Sequence, residues 1–285
     1  MTFAEYVAIE AVNWSSLKII VEESPLAYYH AKYVAVREET RVFRIGRGIH
    51  ALVLEGEAAF RSQFWKQAKA VGEGSRKANA AMRAQAVAAG VTTLDDDEWE
   101  AVLGASASVK TNPWATALLK RGLSEHVVTW TDKETGLPCK ARIDFAGPSM
   151  IDLKSALRIK RRVFTANAIR LGYPGQFAHY ENGLRANGIE PDAAPHMIVV
   201  QSEMPHDVMV YRMTPEAMEL GQRRVRRCLR ILAECLDADY WPGAGASGPV
   251  DFEVPRWAHD DDGWSLAGDS DEHDSSDTNE AKEST

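Results

Sequence analysis

Lys140-Ala-Arg-Ile-Asp-Phe-Ala-Gly-Pro-Ser-Met-Ile-Asp-Leu-Lys154 is the stretch on which the fold turns. It reads as two short strands, Ala141–Phe145 and Met150–Leu153, joined through Ala-Gly-Pro-Ser, with Gly147-Pro148 marking the turn. Each strand carries one carboxylate, Asp144 and Asp152, and Lys154 follows two residues after the second. Residues i and i+2 of a strand point to one face. Asp152 and Lys154 are therefore expected side by side, with the backbone carbonyl of Leu153 between them. Two carboxylates, a carbonyl and an amine at one hairpin suit a hard cation with a base beside it.

Mg²⁺ takes oxygen ligands in near-octahedral geometry and keeps several waters, so Asp144, Asp152 and the Leu153 carbonyl would fill part of its shell. A substrate phosphate would fill more. Lys154 then has two roles open to it. As a free amine it takes a proton from an attacking water; as an ammonium it orients that water and offsets charge building on phosphoryl oxygens. A surface ion pair is the plain structural alternative for Asp-x-Lys. Further along, Gln176-Phe-Ala-His-Tyr180 puts Gln176 and Tyr180 at i and i+4, on one helix face, where both can orient a phosphate or the lysine. Between lies Arg158-Ile-Lys-Arg-Arg162, whose four cations, Arg158, Lys160, Arg161 and Arg162, are placed to hold a phosphodiester backbone.

Working outward, the N-terminal part is helical. Leu17, Ile20 and Val21 predict a short helix that ends near Ser24-Pro25, with another after it. Ile45, Ile49, Leu52 and Val53 predict a helix that carries His50 near its apolar face, where a lone histidine is most often structural. Residues 68–89 predict a helical excursion interrupted at Gly72–Ser75, and Leu94-Asp-Asp-Asp-Glu-Trp99 opens another helix with acidic residues in its first turn. From Glu125 the period changes to two: Val127–Trp130 and Leu137–Phe145 flank Asp132–Gly136 as a hairpin. A helix over 172–186, strands over 196–201 and 208–213, and a last helix from Thr214-Pro215 to about Leu236 complete the reading. Together these predict an α/β (mixed α+β) fold, a central mixed sheet flanked by helices.

Composition limits the partners. The net charge of −8 belongs to the end of the chain: residues 259–285 hold ten acidic residues and one lysine, and the remainder is close to neutral. That acidic segment is expected to be disordered and the folded domain to span residues 1–258, with its core at about 125–243. No run of about 18 apolar residues occurs, so no membrane helix is expected. The start lacks a basic leader and long apolar run, and Cys139, Cys228 and Cys235 make no disulfide framework, which together predict a reducing cytoplasm.

The set Asp144, Asp152-Leu-Lys154 and Gln176-x-x-x-Tyr180 resembles the PD-(D/E)xK nuclease superfamily, in its subgroup with a helical Gln-x-x-x-Tyr. More closely, the chain resembles the phage and prophage exonucleases of the exonuclease VIII (RecE-like) group. Ser24-Pro25…Tyr28, Gly46-Arg-Gly-Ile-His50-Ala-Leu-Val-Leu-Glu55-Gly, the 132–142 strand pair, Gly172-Tyr173-x-x-Gln176 and Trp241-Pro-Gly carry the likeness. The resemblance implies a restriction-endonuclease-like core behind an N-terminal helical segment. It implies a two-metal-type nuclease that uses Mg²⁺, with Mn²⁺ as a substitute, on the ends of double-stranded DNA. It also maps a metal ligand onto His50. Resection from the 5′ end, work with a single-strand annealing protein in recombination, and a homo-oligomeric ring around DNA are further implications.

Three other readings compete. Cas4-like and helicase-associated nucleases share these residues but hold an iron–sulfur cluster through four cysteines, and this chain has three. A catalytically silent DNA-binding or partner-docking module would use Arg223, Arg224, Arg226, Arg227 and Arg230 of the last helix, which salt bridges would otherwise occupy. A site-specific endonuclease would need a sequence-reading module, and none is visible.

Overall fold

The computed structural model describes residues 3–35, 39–69 and 71–254, and the acidic segment at 259–285 lies outside them. By internal contacts the chain divides into Met1–Ala246 and Ser247–Thr285. Every helix and strand below belongs to the first unit.

The chain opens with α1 (Phe3–Ala8), α2 (Trp14–Leu17), α3 (Ile19–Glu22) and α4 (Pro25–Tyr33). The single helix expected up to Ser24-Pro25 is thus two turns meeting at Lys18, with Asn13 capping the first and Ser24 capping α4. Next comes α5 (Arg41–His50), capped by Thr40, which widens without a break into a π-helical turn, Ala51–Glu55. Such turns recur at functional sites because they re-aim the residues around them. Then follow α6 (Glu57–Gln63), β1 (Phe64–Lys66), α7 (Gly72–Ala89), β2 (Thr92–Leu94), α8 (Asp96–Thr111) and α9 (Pro113–Leu118). The glycines expected to interrupt the helix at 72–75 instead form its first turn, where backbone N–H groups have no helical partner to lose. An Asp95/Glu98 capping box starts α8, in line with its acidic opening.

The second half holds β3 (Leu123–Thr131), β4 (Pro138–Ala146), β5 (Met150–Ala156), α10 (Arg161–Arg170), α11 (Tyr173–Ala186), β6 (His196–Gln201), β7 (Val208–Arg212) and α12 (Pro215–Ala238). Strands β3 to β7 form one sheet in sequence order. All neighbours are antiparallel except β5 and β6, which run parallel because α10 and α11 carry the chain back over one face. The expected mixed sheet flanked by helices is what the chain forms.

Alternation along the inner strands divides the core. Ile151, Leu153, Ile198 and Val200 pack with Ile45 and Ile49 of α5 and with Trp99 and Val102 of α8. Met197 and Val199, on the opposite face, pack with Phe164 of α10 and Phe177 of α11. Residues 152 and 154 of β5 share that second face with α11. Two contacts fix α5 over the sheet. Gly48 lets it approach α8 so closely that a Cβ there would lie 2.7 Å from Val102 Cγ2. Arg44 also donates from Nε to Oε1 of the buried Glu98 at 3.1 Å.

Candidate active site

The site lies where β4 and β5 part. They pair directly only at Phe145↔Ile151 and Ala146↔Met150. At its far end the edge of β4 is taken by another segment, with Val12 N–H donating to the Pro138 carbonyl and Lys140 N–H to the Val12 carbonyl, both at 2.8 Å. Between these two pairings the sheet is open. Leu153 faces the gap and is satisfied by side chains in place of a ladder. Its N–H donates to Asp144 Oδ2 at 2.8 Å, and its carbonyl accepts from His50 Nε2 at 2.6 Å. His50 Nδ1 stands 3.6 Å from Asp144 Oδ2. Residues 94 positions apart in sequence are thereby brought onto one notch, because α5 ends over the opening in the sheet.

On the other face of β5, Asp152 is fully buried. Gln176 Nε2 donates to its Oδ1 at 2.9 Å and to the Tyr180 hydroxyl at 2.6 Å. Lys154 Nζ lies 2.7 Å from Oδ2 and 5.0 Å from the centre of the Tyr173 ring. That Oδ2 has no partner in hydrogen-bond geometry, so its contact with Lys154 is an off-axis ion pair. Burial pushes the Asp152 pKa up, Lys154 works against that, and Asp144 adds to it. For Lys154 burial alone would favour the free amine, but Asp152 and Asp144 outweigh it and the pKa moves up. The protein without metal therefore holds an ammonium here.

Sequence reasoning missed Glu125. The β3–β4 ladder pairs Ser124 with Phe145 and His126 with Ile143, so Glu125 stands across from Asp144, at the one place where the pairing is skipped. Its backbone is left-handed, with φ 55°, a conformation that side chains other than glycine adopt at a cost of about 1–3 kcal/mol. Arg142 Nε approaches Glu125 Oε2 at 2.6 Å. Even so, burial and then the neighbouring Asp144 push the Glu125 pKa up to about 8. One atom each from His50, Glu125 and Asp144 lies within 4.8 Å of the others. The missed signal was the hairpin itself: reflecting Asp144 across the 132–136 turn lands on Glu125.

Of the residues singled out from sequence, His50, Asp144, Asp152, Leu153, Lys154, Gln176 and Tyr180 come together. The basic tract stands apart from the carboxylates. Arg158 and Lys160 lie in the exit from β5, Arg161 and Arg162 open α10, and all four are exposed. Among the described residues none of the four forms an ion pair, so the tract is open to a polyanion. The α12 arginines are more committed: Arg226 and Arg230 pair with Glu134, and Arg224 donates to the Ile169 carbonyl at 2.6 Å. Cys139, Cys228 and Cys235 are buried free thiols, the first two among apolar neighbours. Among the described residues no helix is long and apolar enough to cross a membrane.

A divalent cation fits this donor set. Several carboxylates are held close together and away from water, which is costly unless positive charge joins them. The hard oxygens and one imidazole are ligands that Mg²⁺ or Mn²⁺ accepts.

Comparison with known proteins agrees with the geometry. A model of the "PDDEXK-like domain of unknown function (DUF3799)" matches residues 14–252. No curated protein matches the chain. Among solved structures, a "Putative exonuclease" from Eubacterium rectale is 13% identical, covers 90% of this chain and 95% of its own, and superposes with a TM-score of 0.63. At that identity the likeness is one of fold. The family match spans the strands, the notch and both flanking helices, and the chain belongs to the PDDEXK-like DUF3799 family within the PD-(D/E)xK nuclease superfamily.

Proposed function

We propose that this chain is a metal-dependent exodeoxyribonuclease that hydrolyses phosphodiester bonds at the ends of double-stranded DNA. The observation that carries the reading is the convergence of Asp144, Asp152, Lys154, Gln176 and His50 on one opening in the sheet. Asp144, Asp152, His50 and the Leu153 carbonyl are the groups that would hold Mg²⁺, with Mn²⁺ as a substitute. Bound there, the ion would polarise a phosphoryl oxygen and acidify a water. The protein groups do the positioning. Gln176 fixes the Asp152 carboxylate and the Tyr180 hydroxyl together, so neither can rotate away from the notch. Lys154 presents its ammonium to an attacking water and to the charge that builds on the phosphoryl oxygens. Arg158, Lys160, Arg161 and Arg162 give the strand a phosphate-binding approach.

The likeness to the exonuclease VIII group supports the finer points of this proposal: resection from the 5′ end in phage-type recombination, a single-strand annealing protein as partner, and a homo-oligomeric ring. The engagement of Arg226 and Arg230 with Glu134, and of Arg224 with a helix-end carbonyl, speaks against a silent DNA-binding module built on α12. The test is digestion of linear and covalently closed duplex, labelled at the 5′ or the 3′ end, with Mg²⁺ or with EDTA. The proposal expects Mg²⁺-dependent loss of linear DNA, with early release of the 5′ label and closed circles intact. Equal cutting of circles indicates an endonuclease, and intact linear ends refute nuclease activity.

A further inference from the structure

The skipped pair in the β3–β4 ladder places two acidic residues, Glu125 and Asp144, across from one another. Two carboxylates so opposed cannot both be charged without cost, and here one of them also sits on a left-handed backbone. Arg142 meets one oxygen of Glu125, at 2.6 Å. The carboxylate as a whole remains close enough for one of its oxygens to lie within 4.8 Å of both His50 and Asp144 ligand atoms.

The orientation of His50 is informative. Its Nε2 lies 2.6 Å from the Leu153 carbonyl, which can only accept, so Nε2 carries the hydrogen. In the neutral ring the lone pair is then on Nδ1, the atom 3.6 Å from Asp144 Oδ2. Two atoms bound to one ion at about 2.1 Å are separated by about 3.0 Å when adjacent and about 4.2 Å when opposed. The observed separation falls inside that range without movement of either residue. A metal-bound histidine that donates its other N–H to a backbone carbonyl is the usual way such a ring is aimed.

We propose that Glu125 joins Asp144 and the Nδ1 of His50 as a ligand of the divalent cation held at this notch. This rests on the metal-dependent reading of the site above, and it adds Glu125 to the residues that hold metal.

The probe is Mn²⁺, measured by calorimetry and by loss of its free paramagnetic signal, on the full chain and on Glu125→Gln. Thermal melts in EDTA accompany both. The proposal expects Glu125→Gln to weaken Mn²⁺ binding at least about 10-fold while still melting cooperatively in EDTA. A 15N histidine spectrum recorded with diamagnetic Mg²⁺ should shift Nδ1 of His50 in wild type and leave it unmoved in the variant. Unchanged Mn²⁺ affinity in Glu125→Gln overturns the proposal, even if wild type digests DNA. Weakened binding in a variant that has lost its cooperative melt in EDTA gives Glu125 a structural role and also overturns it. Mn²⁺ binding that depends on Glu125, in a wild-type protein that leaves DNA ends intact, keeps this ion site and refutes the nuclease reading instead.

Discussion

Replacing Lys154 by methionine removes the ammonium that stands 2.7 Å from the fully buried Asp152. Methionine keeps most of the side-chain volume, so the perturbation is mainly one of charge. Removing one member of a buried ion pair costs about 3–5 kcal/mol, since the other charge is left without a partner or water. Asp152 can reduce that cost by taking up a proton, and burial has already raised its pKa. The penalty should therefore be about 3 kcal/mol near pH 8 and about half that near pH 5.5, where protonation is cheaper. In a domain of this size 1 kcal/mol moves the Tm by about 2–4 °C, so the variant should melt roughly 6–12 °C below wild type at the higher pH. Calorimetry in EDTA reads this directly. Asp152→Asn combined with Lys154→Met removes both charges and should recover most of the loss, and Mg²⁺ should stabilise Lys154→Met more than wild type. A Lys154→Met melt within about 2 °C of wild type at both pH values would refute the idea that the lysine neutralises a buried carboxylate.

Three further outcomes follow from other parts of the site and its supports. His179 is buried, donates from Nε2 to the Lys140 carbonyl at 3.1 Å, and has its pKa lowered by burial to about 4. The unfolded chain takes up its proton first as pH falls, so stability should drop from about pH 6.5 towards pH 4, and His179→Gln should flatten that limb of the Tm profile. At Gly221 a Cβ would lie 2.1 Å from the Pro174 carbonyl oxygen, so Gly221→Ala must push α12 from the start of α11. The cost should be about 1–3 kcal/mol in melts, with Mg²⁺-dependent cleavage falling further than DNA affinity because α11 carries Gln176 and Tyr180. Changing Arg158, Arg161 and Arg162 to alanine should reduce the slope of log affinity against log salt by about 0.9 for each phosphate no longer neutralised, read by fluorescence anisotropy.

The hairpin, the sheet and the long helices were legible because each repeats a period long enough to register. Phe177, Tyr180 and Leu184 recur at helical spacing on α11, and Thr214-Pro215 announces α12 with a cap and a first-turn proline. β1 and β2 are three residues each, too short to show any alternation. α10 escaped for a different reason. Its sequence, Arg-Arg-Val-Phe-Thr-Ala-Asn-Ala-Ile-Arg, buries only Phe164 and Ala168, so it looks like a charged connection. The candidate set was readable where its members share an element, as Asp152 and Lys154 do on β5. The meeting of His50 with Asp144 depends on α5 ending over a gap in the sheet, which no local spacing encodes, and the family likeness supplied it. Glu125 stayed hidden because cross-strand register, a long-range property, puts it opposite Asp144.

The central claim is that the opened β4–β5 edge is a metal-dependent hydrolytic centre. The most direct measurement is the single-turnover rate of Mg²⁺-dependent cleavage of a linear duplex by wild type and by Lys154→Ala, at matched DNA occupancy. A metal-dependent centre built on Lys154 gives measurable cleavage by wild type, none in EDTA, and a loss of about 10²–10³-fold or more in the variant, the scale of removing one charge-stabilising donor. Equal rates in the two proteins, or wild-type cleavage that persists without a divalent cation, would contradict it.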